Sequence, residues 1–170
     1  MNLQLITDRL IMRPFLKDDA SPMMELYADD DIRRFTGDVP FNSLTDAEAF
    51  IAGYDQYEKY NMGRLSVLIK QSGEYIGWCG LKYISDKEQV DIGYRLLKRH
   101  RGLGYATEAA NASLTFGFNT LMLDKIIGTA MKDNTPSINV FTKLGMKYQY
   151  DQSCGCQPGV VYAIKKEEWK

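Results

Sequence analysis

Arg99-His100-Arg101-Gly102-Leu103-Gly104-Tyr105-Ala106-Thr107-Glu108-Ala109 joins a segment of strand character, residues 90–97, to one of helix character. The joining loop has no side-chain bulk at Gly102 and Gly104. Two glycines let successive N–H groups turn inward, and the helix that follows adds the positive end of its dipole. The stretch therefore predicts a cradle for phosphate oxygens that needs no lysine. Two better-known phosphate loops do not fit. A nucleoside-triphosphate loop ends Gly-Lys-Ser/Thr, whereas Gly104 is followed by Tyr105-Ala106-Thr107. A dinucleotide fingerprint needs a third small residue at 107 and an acid at the end of the next strand, and Asp124 lies before the strand-like run 125–131. A Gly-rich turn that only caps a helix is the plain alternative.

Working outward, residues 3–15 read as a strand and 18–28 as a helix, with Met23, Met24, Leu26 and Tyr27 at helical spacing and Pro22 in the first turn. Thr45-Asp46-Ala47-Glu48 reads as a capping box for a helix to about Asn61, stopped by Gly63. Strands follow at 64–70, 75–83 and 90–97, joined by the short turns Ser72-Gly73-Glu74 and Ser85-Asp86-Lys87, which imply antiparallel neighbours. A helix over 103–120, a strand over 125–131, a helix over 136–144 and strands over 147–151 and 159–165 complete the order. The strands at 90 and 125 are linked through a helix and should be parallel. The expectation is one α/β domain over residues 1–170, with a mixed, mostly antiparallel sheet and helices on its faces.

Composition sets bounds. With 170 residues, 45% hydrophobic and 25% charged, the chain suits one well-cored domain. A net charge of -1 gives no general attraction to nucleic acid or to an anionic membrane, and the absence of a long apolar run points to the cytoplasm. Cys79, Cys154 and Cys156 read as free thiols. Cys-x-Cys and the lone His100 are too few ligands for a metal site.

A second stretch, Asp133-Asn134-Thr135-Pro136-Ser137-Ile138-Asn139-Val140-Phe141-Thr142-Lys143-Leu144-Gly145-Met146, carries the resemblance. Together the two stretches resemble the GNAT superfamily of acyl-CoA-dependent N-acetyltransferases. Arg99, Gly102 and Gly104 match its pyrophosphate loop, and Asn134, Ser137, Lys143 and Gly145 its later segment, with Met146 in place of an aromatic residue. The opening Thr7-Asp8-Arg9-Leu10-Ile11-Met12-Arg13-Pro14 resembles the branch that includes the ribosomal-protein N-terminal acetyltransferases.

This resemblance implies acetyl-CoA as donor and CoA as product, bound between two splayed central parallel strands. Backbone groups of Tyr94 to Leu96 would bond the pantetheine amides. Arg99, His100, Gly102, Leu103, Gly104, Tyr105, Ala106 and Thr107 would hold the phosphates. Asn134 and Asn139 would supply amide contacts, and Lys143 would meet either a phosphate or only its helix C-terminus. Asp91 is the candidate base, weighed against an exposed strand carboxylate. Ser137 could donate toward the sulfur, or serve only as a helix cap. Phe141 stands where many members carry a proton-donating tyrosine, and is expected to pack beside the pantetheine arm. A backbone N–H near Ile92 to Tyr94 could face the oxyanion. Phe35, Trp78 and Tyr83, with Asp29-Asp30-Asp31, are candidates for the acceptor wall; the three acids read equally as a solvated helix end. The acceptor would be a protein N-terminal amine or a small amine, and the enzyme a monomer or homodimer. A CoA-binding module without turnover is the alternative.

Overall fold

The computed structural model describes residues 3–155 and 157–169. Eight strands form one mixed sheet in the order β1-β2-β3-β4-β5-β6-β8-β7. They are β1 (Leu5–Ile6), β2 (Leu10–Arg13), β3 (Arg64–Ile69), β4 (Tyr75–Ile84), β5 (Gln89–Leu96), β6 (Lys125–Met131), β7 (Lys147–Cys154) and β8 (Gln157–Lys165). Every neighbouring pair is antiparallel except β5 and β6, the pair joined through a helix. That pair meets at one register point, Asp91 opposite Ile127, whereas β4 and β5 stay paired from Gly77–Leu96 to Ile84–Gln89. Beyond Asp91 the two central strands part, as the resemblance implied.

The helices are α1 (Ala20–Ala28), α2 (Asp30–Thr36), α3 (Leu44–Ala52), α4 (Gln56–Tyr60), α5 (Tyr105–Asn119) and α6 (Thr135–Lys143). Strand alternation divides the sheet into two faces. Leu65, Val67, Cys79, Leu81, Val90, Ile92 and Leu96 form one core with Ala109, Ala110, Leu114 and Phe118 of α5. On the other face Tyr75 and Trp78 pack with Phe15, Met23, Leu26 and Ile32 beneath α1 to α3. The aromatic stripe Phe50, Tyr54, Tyr57 packs on Phe15, with Tyr54 5.1 Å from it and Tyr57 4.9 Å from Tyr54. Among the described residues no helix is long and apolar enough to cross a membrane.

Local chemistry moved several boundaries. The strand expected over 3–15 is a hairpin, because Thr7 accepts from the Leu10 N–H through its hydroxyl and folds the chain at 7–9. The helix expected over 45–61 is two helices. Gly53 ends α3 by donating to the Ala49 carbonyl, and α4 ends at Asn61 in the left-handed region (φ 54°), not at Gly63. Its cap is also different: Ser43, not Thr45, accepts from the Asp46 N–H. The short helix α2 was not anticipated. Asp29 caps it by accepting from the Asp31 and Ile32 N–H groups, and Gly37 closes it at φ 72°. Cys156 lies outside the described residues; Cys79 and Cys154 are free thiols.

Asp19 ties the second face together. Buried in the turn before α1, it accepts from both Arg13 Nη atoms (2.7 and 2.9 Å), the Leu16 N–H (2.8 Å) and Ser66 Oγ (2.6 Å). Burial alone would raise its pKa; the Arg13 bond, the Leu16 N–H and Ser66 outweigh it and hold the carboxyl below its usual range. A folded pKa below the unfolded one gives stability that is present above about pH 4 and lost as pH falls through the folded value. Asp19→Asn should therefore cost about 1.5–3 kcal/mol at pH 7. In urea melts the gap from wild type should close toward pH 3, and a gap independent of pH would contradict this reading.

Candidate active site

The loop after β5 is shaped as its glycines dictate. A single tight turn over Lys98–His100 leads to Gly102 (φ 78°) and Gly104 (φ 83°), and Gly104 caps α5. The Arg101 N–H donates to the Lys98 carbonyl and the Glu108 N–H to that of Gly104. Among the described residues, the N–H groups of residues 102–107 between them meet no protein acceptor. These donors, at the positive end of a fifteen-residue helix, form an anion cradle.

The basic side chains of the loop do not line that cradle. Arg99 reaches Glu25 (2.5 Å) and Glu74 (3.5 Å), and His100 Nε2 lies 3.0 Å from Glu74. Arg101 donates from Nε to the Leu96 carbonyl (2.9 Å) and from Nη2 to Asp29 (3.0 Å). Arg99 and His100, expected beside the phosphates, brace the loop against Glu25 and Glu74, and the Leu96 carbonyl, expected near the pantetheine arm, accepts from Arg101. Lys98 and Arg101 also take Asp31, and Arg33 takes Asp30, so the acid run caps and tethers α2. Leu103 is exposed at the loop's tip, and Tyr105, Ala106 and Thr107 form the first turn of α5.

The parted strands give the loop a neighbouring wedge. On its α6 side, the Tyr94 hydroxyl donates to the Ser137 carbonyl (2.9 Å). Phe141 is 2% exposed and packs on Tyr94 and Tyr162, with ring centroids 6.1 and 5.6 Å away. A Cβ at Gly128 would lie 2.6 Å from the Phe141 ring, so β6 must be bare there to admit it. Phe141 is thus a core residue, packed against the wedge through Tyr94. Asn134 Oδ1 caps α6 by accepting from the Ser137 N–H (3.3 Å). The capping duty belongs to Asn134, and the Ser137 hydroxyl bonds no protein group among the described residues. Asn139 is exposed in mid-helix, and Lys143 is exposed in the last turn, where its charge suits the helix C-terminus.

On the opposite side, Asp91 is held by Arg64, which pairs with Oδ2 and donates to the carbonyls of Asp91 and Gly80. The two side chains are 16% and 12% exposed. Burial pushes the Asp91 carboxyl up, against the opposing pull of Arg64, Lys82 and the Thr129 N–H. Gly93 is bare because the Arg64 guanidinium crosses it, within 2.7 Å of where a Cβ would stand. Two guanidinium groups stand over the Trp78 ring, Arg64 at 5.4 Å and Arg95 at 5.0 Å, and Arg95 pairs with Asp38. Phe35, half-buried on α2, carries Arg34 over its ring at 5.1 Å. Tyr83 is not part of this face. It lies five residues from Trp78 on β4, pairs with Val90 at the closed end of the wedge and stacks on Tyr60 at 4.7 Å. Arg64, Arg95 and Asp38 were missed from sequence; strand pairing brings them together, and only the even spacing of Asp91, Gly93 and Arg95 hinted at a shared face.

The fold and this loop-and-wedge arrangement define an acyltransferase architecture, and the comparisons agree. Residues 9–147 match the family model for the acetyltransferase (GNAT) domain. The chain belongs to the GNAT acetyltransferases. It is 29% identical to the uncharacterized N-acetyltransferase p20 of Bacillus licheniformis, over 97% of both chains. It is 24% identical to spermidine N(1)-acetyltransferase of Escherichia coli K12, over 81% of this chain and 73% of that one. A GNAT-family acetyltransferase structure from Bacillus anthracis superposes with a TM-score of 0.83 at 25% identity, covering 98% of this chain and all of that one. Ribosomal-protein acetyltransferases from Vibrio share the fold at lower identity.

Proposed function

We propose that the chain is an acetyl-CoA-dependent N-acetyltransferase, one domain over residues 1–170 working in the cytoplasm, that passes the acetyl group to a primary amine by direct attack within a ternary complex. The observation that carries this reading is the parting of β5 and β6 after Asp91, beside a loop whose N–H groups are free to take phosphate. The residues fit acetyl-CoA, which would supply the activated thioester. Residues 102–107 would hold its phosphates, and the open edge of β5 near Tyr94 would bond its arm.

In this reading Asp91 takes the amine proton, directly or through water, with Arg64 fixing its orientation. A backbone N–H between Ile92 and Tyr94 faces the developing negative charge, and the Ser137 hydroxyl or water gives a proton at sulfur. The relative that acts on spermidine supports a small polyamine, and a protein N-terminus is the other acceptor of the same chemistry.

A second reading, a CoA-binding module without turnover, is favoured by Phe141, which cannot donate a proton, and by the Arg64 grip on Asp91. Thiol release from acetyl-CoA should separate the two, with polyamines, Ser- and Ala-starting peptides, amino acids and aminoglycosides as acceptors. Saturable release with one class names the acceptor; CoA binding with no release on any amine would favour the binding module.

A further inference from the structure

The hairpin turn at residues 7–9 brings a guanidinium to the phosphate loop from outside the loop's own stretch, residues 99–109. Arg9 is fixed on three sides. Its Nε meets Glu108 Oε2 at 2.6 Å, its Nη1 donates to the Leu103 carbonyl at 3.1 Å, and its Cζ lies 4.5 Å above the Tyr105 ring. Glu108 is itself locked by Thr7 Oγ1 (2.6 Å) and by the Arg9 N–H (3.0 Å). These contacts leave Nη2 without a protein acceptor among the described residues, 3.3 Å from where a Cβ on Gly104 would stand. The side chain is 47% exposed. A preorganised fork with one free donor, standing at the residue that caps the cradle, has the geometry for a phosphate oxygen. Arg99 and Arg101, the loop's own arginines, pair with Glu25, Glu74 and Asp29, and neither comes within 4 Å of a Cβ built on Gly104, as Arg9 does.

We propose that Arg9 is a phosphate-binding residue of the cofactor site, adding a charged donor from the N-terminal hairpin to the N–H cradle of residues 102–107. This rests on the acetyl-CoA reading above. Its ligand is a phosphate of CoA, either the diphosphate or the 3′-phosphate. Glu108 is then a positioning residue, since among the described residues its carboxylate hydrogen-bonds to Arg9 and Thr7.

The test is calorimetric titration of the full chain with CoA, dephospho-CoA and pantetheine, in wild type, Arg9→Gln and Arg9→Lys, with a thermal melt of each. Loss of a hydrogen bond to a charged group should weaken CoA binding about tenfold or more in Arg9→Gln. Arg9→Lys should recover most of that loss, because it keeps the charge while giving up the fork to Glu108 and Leu103. A loss confined to CoA assigns the 3′-phosphate, and an equal loss for dephospho-CoA assigns the diphosphate. Unchanged affinity in folded Arg9→Gln, or equal losses in the two variants, would overturn the proposal and leave Arg9 as a brace. If Arg9→Gln does not fold, Arg9→Met, which keeps an unbranched stem over the Tyr105 ring without the charge, decides: weaker CoA with unaltered pantetheine supports it, and parallel or absent changes overturn it. Wild-type protein that binds neither CoA nor dephospho-CoA would instead sink the acetyl-CoA reading itself.

Discussion

Gly104→Val should fold and yet lose most of its affinity for CoA. Gly104 sits at φ 83°, a left-handed conformation that a β-branched residue resists at a cost of about 1–2 kcal/mol. Its new Cβ would stand 3.3 Å from Arg9 Nη2, and its methyl groups would intrude between that guanidinium and the N–H groups of Tyr105 to Thr107. To relieve the strain the backbone must rotate, which turns those donors away from the cradle. On the scale where 1.4 kcal/mol is tenfold, we expect a rise in the CoA dissociation constant of roughly ten- to a hundredfold. Calorimetry beside a thermal melt checks it, and a folded variant with wild-type affinity would remove the loop from the site. Gly102→Val is the informative companion, since a Cβ there meets nothing within 4 Å and only its φ of 78° opposes the change.

Asp91→Asn should lower kcat by about 10²–10⁴ near neutral pH while leaving CoA affinity unaltered. Burial raises the Asp91 carboxyl, so in wild type the ionised, proton-accepting form should fade at a higher pH than for an ordinary carboxylate. The acid limb of the kcat profile is therefore assigned to Asp91, and the Asn variant should lack it. The deficit should shrink once pH exceeds the acceptor's own pKa, about 7.7–8.0 for an α-amine or 10.4 for a lysine-like amine, because the base is then not needed. A variant with an unaltered profile would send the search for the base elsewhere. The pH at which the deficit closes also reports which kind of amine the enzyme uses.

Elements written by local chemistry were readable in the sequence, and elements set by distant partners were not. The bend after β5 was legible because Gly102 and Gly104 accept positive φ, and α6 because Thr135-Pro136-Ser137 marks a helix start, although its cap is Asn134 and not Ser137. The helix α2 was equally local, Asp29 to Gly37, but its three acids were read as an acceptor wall or a solvated helix end and not as a cap. The parting of β5 and β6 depends on strands separated by a whole helix, and only the family resemblance anticipated it. The acceptor face shows the limit most clearly. Arg64, Trp78 and Arg95 lie on three strands and meet through register, so nothing in any one segment announces the stack. Tyr83 was grouped with Trp78 through the family resemblance, although an odd spacing along one strand already put it on the other side.

The central claim is that the wedge and its loop carry an acetyl group from CoA straight to an amine. Rapid-quench mixing of the protein with acetyl-labelled acetyl-CoA, with and without an accepted amine, tests it most directly. The account predicts that label reaches the amine in step with thiol release, one for one, that no label is found on the protein, and that Gly104→Val slows both signals together. Label accumulating on the protein before the amine is added, or thiol release without acetylated amine, would contradict it.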